Sequence, residues 1–404
     1  MPRDPLFSWC GATLAILFLV GCERADETHR VTALPSPAGP GSGESSLTVG
    51  EDGKLYLSWI ESQSEDHVFE FASWQGNAWS APREIARGRD WVVNGADVPA
   101  LTVLGDGRTM MAHWLVQIGT EGEAYGIRVT RSQDGGETWS PSIIPHRDST
   151  ATEHGFVSWN PISRDRAALV WLDGRETTHG GATTLRFATL DANGAMDGET
   201  LVDTRVCDCC STDLAGEDSS LVVVYRDRSE EDIRDIRIAR YDGTSWTEGP
   251  LVHSDGWKIA GCPVNGPAVA MHESLLAVTW FTVDAADHAH VRLSFSRDAG
   301  RTFQDPLEIG GPDPLGRVGI ALTPDGAAWI LWLETVRNGQ AEIRLRKADV
   351  AGHLGEPIVV ATTSASHASG IPRLACLGNE LFMAWTGVAG DVEDGTRVLT
   401  ARIR

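Results

Sequence analysis

The sequence predicts an all-β protein, a seven-bladed β-propeller with a six-bladed ring as the alternative, on three observations. Aromatic residues end short apolar segments at Trp59, Trp114, Trp171, Tyr225, Trp280, Trp332 and Trp385, spaced 52 to 57 residues apart. Each repeat has room for four short strands separated by Gly and Asp turns, and one such sheet cannot bury both faces without stacked neighbours. Helix-period apolar segments are absent beyond the N-terminal leader.

The elements follow in chain order. Arg3 precedes an apolar run from Leu6 to Val20, 15 residues long, where a membrane span needs roughly 20, so residues 1–21 read as a signal peptide. Its end, Leu19-Val20-Gly21-Cys22, resembles the bacterial lipobox, which implies cleavage before Cys22 and a lipid on its sulfur. The expected address is the bacterial cell envelope, periplasmic or surface-exposed, with the lipid as the sole membrane contact. Glu23 in place of Asp favours the outer membrane over the inner. Residues 22–44 are rich in Pro, Gly and Ser and read as a spacer. Within it about 29–36, which includes His29-Arg-Val31-Thr-Ala-Leu34, is expected to complete the last blade and leave no exposed edge.

Residues 45–404 read as one propeller domain with blades at 45–97, 98–152, 153–208, 209–261, 262–315, 316–369 and 370–404. Two turns carry a fuller motif: Ser132-Gln-Asp134-Gly-Gly136-Glu-Thr-Trp139 and Ser296-Arg-Asp298-Ala-Gly300-Arg-Thr-Phe303. Worn copies stand at 73–79, 191–194, 242–246 and 349–352. Ser and Asp bond the turn backbone, Gly takes positive φ, and the aromatic staples the hairpin between blades. These turns resemble the Asp-boxes of the sialidase-like (BNR) propellers, which implies structural turns and a carbohydrate-directed fold, with six blades in the sialidases themselves. The sialidase residue set does not carry over: the first blade has no Arg-Ile-Pro, and Ile371-Pro372-Arg373 stands in the last blade.

Acidic residues exceed basic ones by 56 to 34, for a net charge of −22, which excludes a general nucleic-acid or anionic-membrane binder. An anionic ligand then needs local arginines, and 31 of the 34 basic residues are arginine. In a propeller the loops leading into inner strands share one face with the turns between second and third strands. On that face the sequence places Asp173, Arg175, Glu176 and His179 in blade three, and Tyr225, Arg226, Asp227, Arg228, Arg234 and Asp235 in blade four. The arginines suit bidentate capture of an acidic sugar and the carboxylates acid or base work; the alternative is a network of Arg–Asp pairs tying blades together. The inward loops add Trp91, Asn94, Asp97, His154, residues 207–213 and 257–265, Arg317, His367 and Arg373.

Cysteines form the other cluster. Cys207-Asp-Cys209-Cys210 and Cys262 lead into neighbouring inner strands. An exported chain favours a disulfide, Cys209–Cys262 or Cys210–Cys262; the alternatives are a zinc or copper site and redox chemistry. Cys376 reads as a buried free thiol. His288 and His290 offer a metal-competent pair or a solvated loop. Two functions fit: an envelope-anchored enzyme acting on acidic carbohydrate, as a sialidase-like hydrolase or a polysaccharide lyase, or a noncatalytic scaffold, expected to be monomeric, that binds carbohydrate or an envelope protein.

Overall fold

The computed structural model describes residue 1 and residues 30–119, 124–388 and 395–404; the segment expected to be a signal peptide, from residue 2 on, and Cys22 and His29 lie outside these residues. Seven antiparallel sheets stand in a ring, six of four strands and one of three. The inner strands are Ser42–Val49, Ala100–Leu104, His154–Ser163, Asp213–Glu217, Ala268–His272, Pro314–Leu322 and Arg373–Leu377. Each packs against the next, and the seventh against the first. Seven blades therefore replace the six-bladed alternative.

The seven repeat aromatics all lie in second strands, and all are buried. Each ring removes roughly 150–250 Å² from water, about 4–6 kcal/mol of gross burial before entropy is charged. A buried polar tip needs a partner, and carboxylates supply several. Trp171 Nε1 donates to Asp173 (2.8 Å), Trp332 Nε1 to Glu334 (2.8 Å), Trp280 Nε1 to Asp255 (2.7 Å) and the Tyr225 hydroxyl to Asp203 (2.6 Å).

The ring closes as expected from the unpaired N-terminal segment. Val31–Leu34 lies antiparallel to Arg397–Ile403, with Val31 opposite Ile403 and Leu34 opposite Thr400. The first segment of the domain thus becomes the outer strand of the last blade. Blade two departs from the expected four strands: its outer strand is reduced to a single bridge, Val129 to Ile143.

The two fuller turns have the same hydrogen-bond pattern. Ser132 Oγ donates to Asp134 (2.7 Å) and accepts from the Gly136 amide (2.8 Å), while Asp134 accepts from the Thr138 amide (2.9 Å) and hydroxyl (2.6 Å). Ser296, Asp298, Gly300 and Thr302 repeat it, at 2.7, 2.8, 2.9 and 2.7 Å. Gly136 sits at φ 82°, where a Cβ would lie 2.6 Å from Phe71 of blade one. Trp139 meets Phe71 edge-on at 6.2 Å, and Phe303 packs against the core between blades four and five. These turns staple blades together, and Ser132, Asp134, Gly136, Trp139, Ser296, Asp298, Gly300 and Phe303 are explained by that role.

Candidate functional site

The inner strands enclose an axial cavity of about 350 Å³ lined by residues from all seven blades, among them Asp97, Asp213, Arg317 and Arg373. Small-molecule sites span roughly 300–1,000 Å³. The lining polar groups arrive on loops that lead into inner strands. Two of these loops touch: a Cβ on Gly95 would lie 2.9 Å from Gly370 Cα, so residues 94–97 and 366–370 lean together. Arg317 holds the second loop, donating from Nη1 to the Ser366 carbonyl (2.8 Å) and the Ser369 hydroxyl (2.9 Å).

The carboxyls here are shifted upward. Burial pushes Asp97 to about 7, against the Phe156 amide (2.8 Å) and the Tyr125 hydroxyl, which favour its charged form. Gly155 leaves room for this arrangement, since a Cβ there would lie 2.0 Å from Asp97 Oδ2. Burial likewise pushes Asp213 to about 6, opposed by the Val269 amide (2.8 Å) and the charge of Arg373. Burial also raises Glu44, on the bulged start of the blade-one inner strand, to about 7. Arg373 donates from Nε to the Ser45 carbonyl (3.3 Å). Among the described residues neither Arg373 nor Arg317 has a carboxylate within ion-pair distance. The mouth therefore pairs two arginines with carboxyls that are partly neutral near pH 7, in a chain of net charge −22.

The residues weighted most heavily in the sequence occupy closed networks. Asp173 is fully buried and takes Arg175 Nε (2.7 Å) and Nη2 (2.7 Å), with His154 Nε2 at 3.6 Å. Burial raises its pKa, but Arg175, His154 and Trp171 outweigh burial and hold it below the usual carboxylate range. Arg175 also reaches Glu199 (2.9 Å), and Glu176 extends outward to Arg186 at 3.7 Å. The device recurs: Glu334, two residues after Trp332, accepts the Gly311 and Asp313 amides, and Glu61, two after Trp59, accepts the Gly39 amide. Asp173 is the blade-three copy of that latch.

Blade four shows the same self-sufficiency. Arg226 is buried and spends its donors on the carbonyls of Asn265, Arg234 and Phe281, with its guanidinium 4.7 Å from the Trp257 ring. Asp227 accepts Arg237 (2.7 Å), Arg228 pairs with Asp232 (2.9 Å), and Asp235 accepts the Gly256 and Trp257 amides. Tyr225 is buried on Asp203. The Arg–Asp pairs here lie within blade four, and it is Arg226 that ties blade four to blade five through the Asn265 and Phe281 carbonyls. Trp91 lies tilted against Trp114 at 5.3 Å, Asn94 caps its own loop, and His288 and His290 both turn onto Asp284. His179 and His367 end up in short 3₁₀ turns.

Cys209 and Cys262 form a disulfide, with Cα atoms 5.9 Å apart. Cys207 and Cys210 are free and buried, and the ligand atoms of Cys207, Cys209 and Cys210 lie within 4.8 Å of one another, a grouping that can hold a metal ion. With the disulfide formed two thiols remain, fewer than the four ligands of a structural zinc. Cys376 is half-buried, not buried as expected, because it sits near the sheet end and donates to the Gly378 carbonyl (3.2 Å).

Comparison with known proteins adds the fold. No protein-family model and no curated protein matches the chain. A Dyadobacter fermentans protein of unknown function has a similar structure, with 13% identity, TM-score 0.53, and coverage of 92% of this chain and 97% of that one. Polysaccharide lyase Uly1 aligns at 10% identity and TM-score 0.53, covering 88% and 89%. The α-L-arabinofuranosidase Arb93a of Fusarium graminearum, solved with an iminosugar inhibitor, aligns at 12% identity and TM-score 0.50, covering 93% and 97%. At these identities the likeness is one of fold.

Proposed function

We propose that this chain is a carbohydrate-recognising propeller that takes an acidic sugar at its axial mouth. The observation that carries the reading is the cavity shared by all seven inner strands, where Arg317 and Arg373, which among the described residues have no carboxylate within ion-pair distance, line the same space as Asp97 and Asp213. A sugar carboxylate would complete the arginines, and a neutral carboxyl can donate to a sugar hydroxyl where a carboxylate cannot. The lyase and arabinofuranosidase folds support the ligand class by analogy alone. Carboxyls poised near neutrality also suit proton transfer, so the reading extends to cleavage of the bound glycan. The setting we propose is the cell envelope, with the propeller tethered through acylated Cys22.

The test is titration calorimetry of the folded domain with uronic-acid oligosaccharides and with neutral oligosaccharides of equal length. Binding of the acidic series, weakened at least tenfold in Arg373→Gln with melting unchanged, is the expected result. Equal binding of both series, or an Arg373→Gln variant that binds as tightly as the parent, overturns the reading. Turnover is followed separately, by new reducing ends for a hydrolase and by ultraviolet absorbance of an unsaturated product for a lyase.

A further inference from the structure

Four cysteines meet on the same face, between blades four and five, and their arrangement differs from a structural staple. The disulfide is the outer layer, with Cys209 half-buried and Cys262 exposed. Beneath it Cys207 and Cys210 are 1% and 2% exposed. Their sulfurs lie 3.4 Å apart, and Cys207 Sγ lies 3.9 Å from Cys209 Sγ. Cys207 and Cys210 are also spaced as Cys-x-x-Cys, a pattern that favours a thiolate on one member.

A buried guanidinium faces this layer. Arg234, almost wholly buried, donates from Nη1 to Cys207 Sγ at 3.2 Å, and its carboxylate neighbours Asp208 and Asp232 stand farther off, at 3.5 and 3.7 Å. Arg226 lies behind it, with its donors committed to carbonyls. The hydrogen bond with Cys210 and the charges of Arg234 and Arg226 outweigh burial and pull the Cys207 thiol down to about 6. Burial and the neighbouring Cys207 raise Cys210. A pair of inert core thiols has no use for a desolvated arginine aimed at one sulfur.

We propose that Cys207, Cys210, Cys209 and Cys262 form a thiol–disulfide exchange centre in which the buried Cys-x-x-Cys pair and the exposed disulfide trade oxidation state. The Cys207 thiolate attacks Cys209 Sγ; the Cys207–Cys209 bond forms as Cys209–Cys262 breaks, and the electron pair leaves on Cys262, which takes a proton from water. Cys210, giving up its proton to water, then attacks Cys207; the Cys207–Cys210 bond forms and Cys209 departs as a thiolate and is protonated in turn. Two electrons and two protons pass from the inner pair to the outer pair, and no outside reagent is consumed. The product presents a dithiol, Cys209 and Cys262, at the surface, ready to reduce a disulfide of a partner protein by the same exchange. This site is independent of the axial cavity.

The experiment uses the mature chain purified without reductant. Thiols are acid-quenched and alkylated after equilibration in glutathione buffers, and linkages are mapped by peptide mass. The expected wild-type pattern is Cys209–Cys262 with a second population linked Cys207–Cys209 or Cys207–Cys210. Cys262→Ser is expected to re-form one of those inner links under glutathione disulfide, and three free thiols in that variant overturn the proposal. The alkylation rate of wild-type Cys207 against pH needs no substitution, and a midpoint near that of an ordinary thiol, about 8.5, also overturns it. Arg234→Gln should move that midpoint upward by about one unit or more. One stoichiometric zinc or copper per wild-type chain overturns it as well, since the thiols would then be ligands.

Discussion

Two sets of charged residues share one face of this ring and have opposite characters. In blades three and four Asp173 holds Arg175, Asp227 holds Arg237 and Asp235 accepts two amides, while Arg226 gives Nε and both terminal nitrogens to carbonyls. At the axial mouth the arginines rest on carbonyls with no carboxylate in ion-pair distance among the described residues, and burial pushes the carboxyls up toward neutral pH. The difference teaches that a dense run of charge can be finished structure, whereas a sparse set lifted out of water with its pairing incomplete leaves room for a ligand.

Removing a member of the finished set should cost the most. Asp173→Ala removes the fully buried carboxylate that Arg175, His154 and Trp171 share, leaving Arg175 only Glu199 and His154 only Asp148 as carboxylate partners, with an expected loss of about 3–5 kcal/mol in urea unfolding; a loss below about 1 kcal/mol would show that the network is not closed. Arg226→Met frees three buried carbonyls, and a loss of about 3 kcal/mol is expected at unchanged glycan binding. Weakened binding without weakened folding in that variant would erase the distinction between the regions.

Titration sharpens the contrast, because the two carboxyls have opposite signs. Asp97 has a raised folded pKa, so its contribution is full below about 4 and is lost as pH rises through about 7. Asp97→Asn keeps an acceptor for the Phe156 amide and should stabilise the protein at pH 8 by about 1–4 kcal/mol, with no gain at pH 4. Asp173 has a lowered folded pKa, so its stabilisation is present above about 4 and is lost as pH falls. Thermal melts from pH 3 to pH 8 check both slopes; parallel profiles for Asp97→Asn and wild type would remove the argument for a strained mouth. The smallest effect is local: Gly136→Ala, at φ 82° and against Phe71, should cost about 1–3 kcal/mol without touching either region.

The ring was legible because its signals are local and repeated. Each of the aromatics from Trp59 to Trp385 reports the same strand position, and the box turns announce themselves through Ser, Asp and Gly at fixed offsets. The closing strand could be reached by counting, since the last repeat lacked one. The site was harder to see. Asp97, Arg317 and Arg373 were visible as loop residues, but nothing in a sequence separates a paired arginine from an unpaired one, and Asp173 looked like a catalytic group because a latch and an acid use the same residue type. Glu44 was missed altogether, as the bulge that buries it depends on the pairing of residues 43–46 with the next strand. Of the two disulfide alternatives, only side-chain positions could select Cys209–Cys262.

The closing strand carries a consequence for biosynthesis. A chain leaves the ribosome from its N-terminus, so Val31–Leu34 emerges first and waits for Arg397–Ile403, its partner more than 360 residues later. Six blades can assemble as they appear, while the seventh stays open until Arg397–Ile403 has been made. Pairing over such a span makes closure the slow, late step. Until it occurs the nascent chain has a free strand edge at each end of the ring, which makes a chaperone-binding window of the interval before the ring locks.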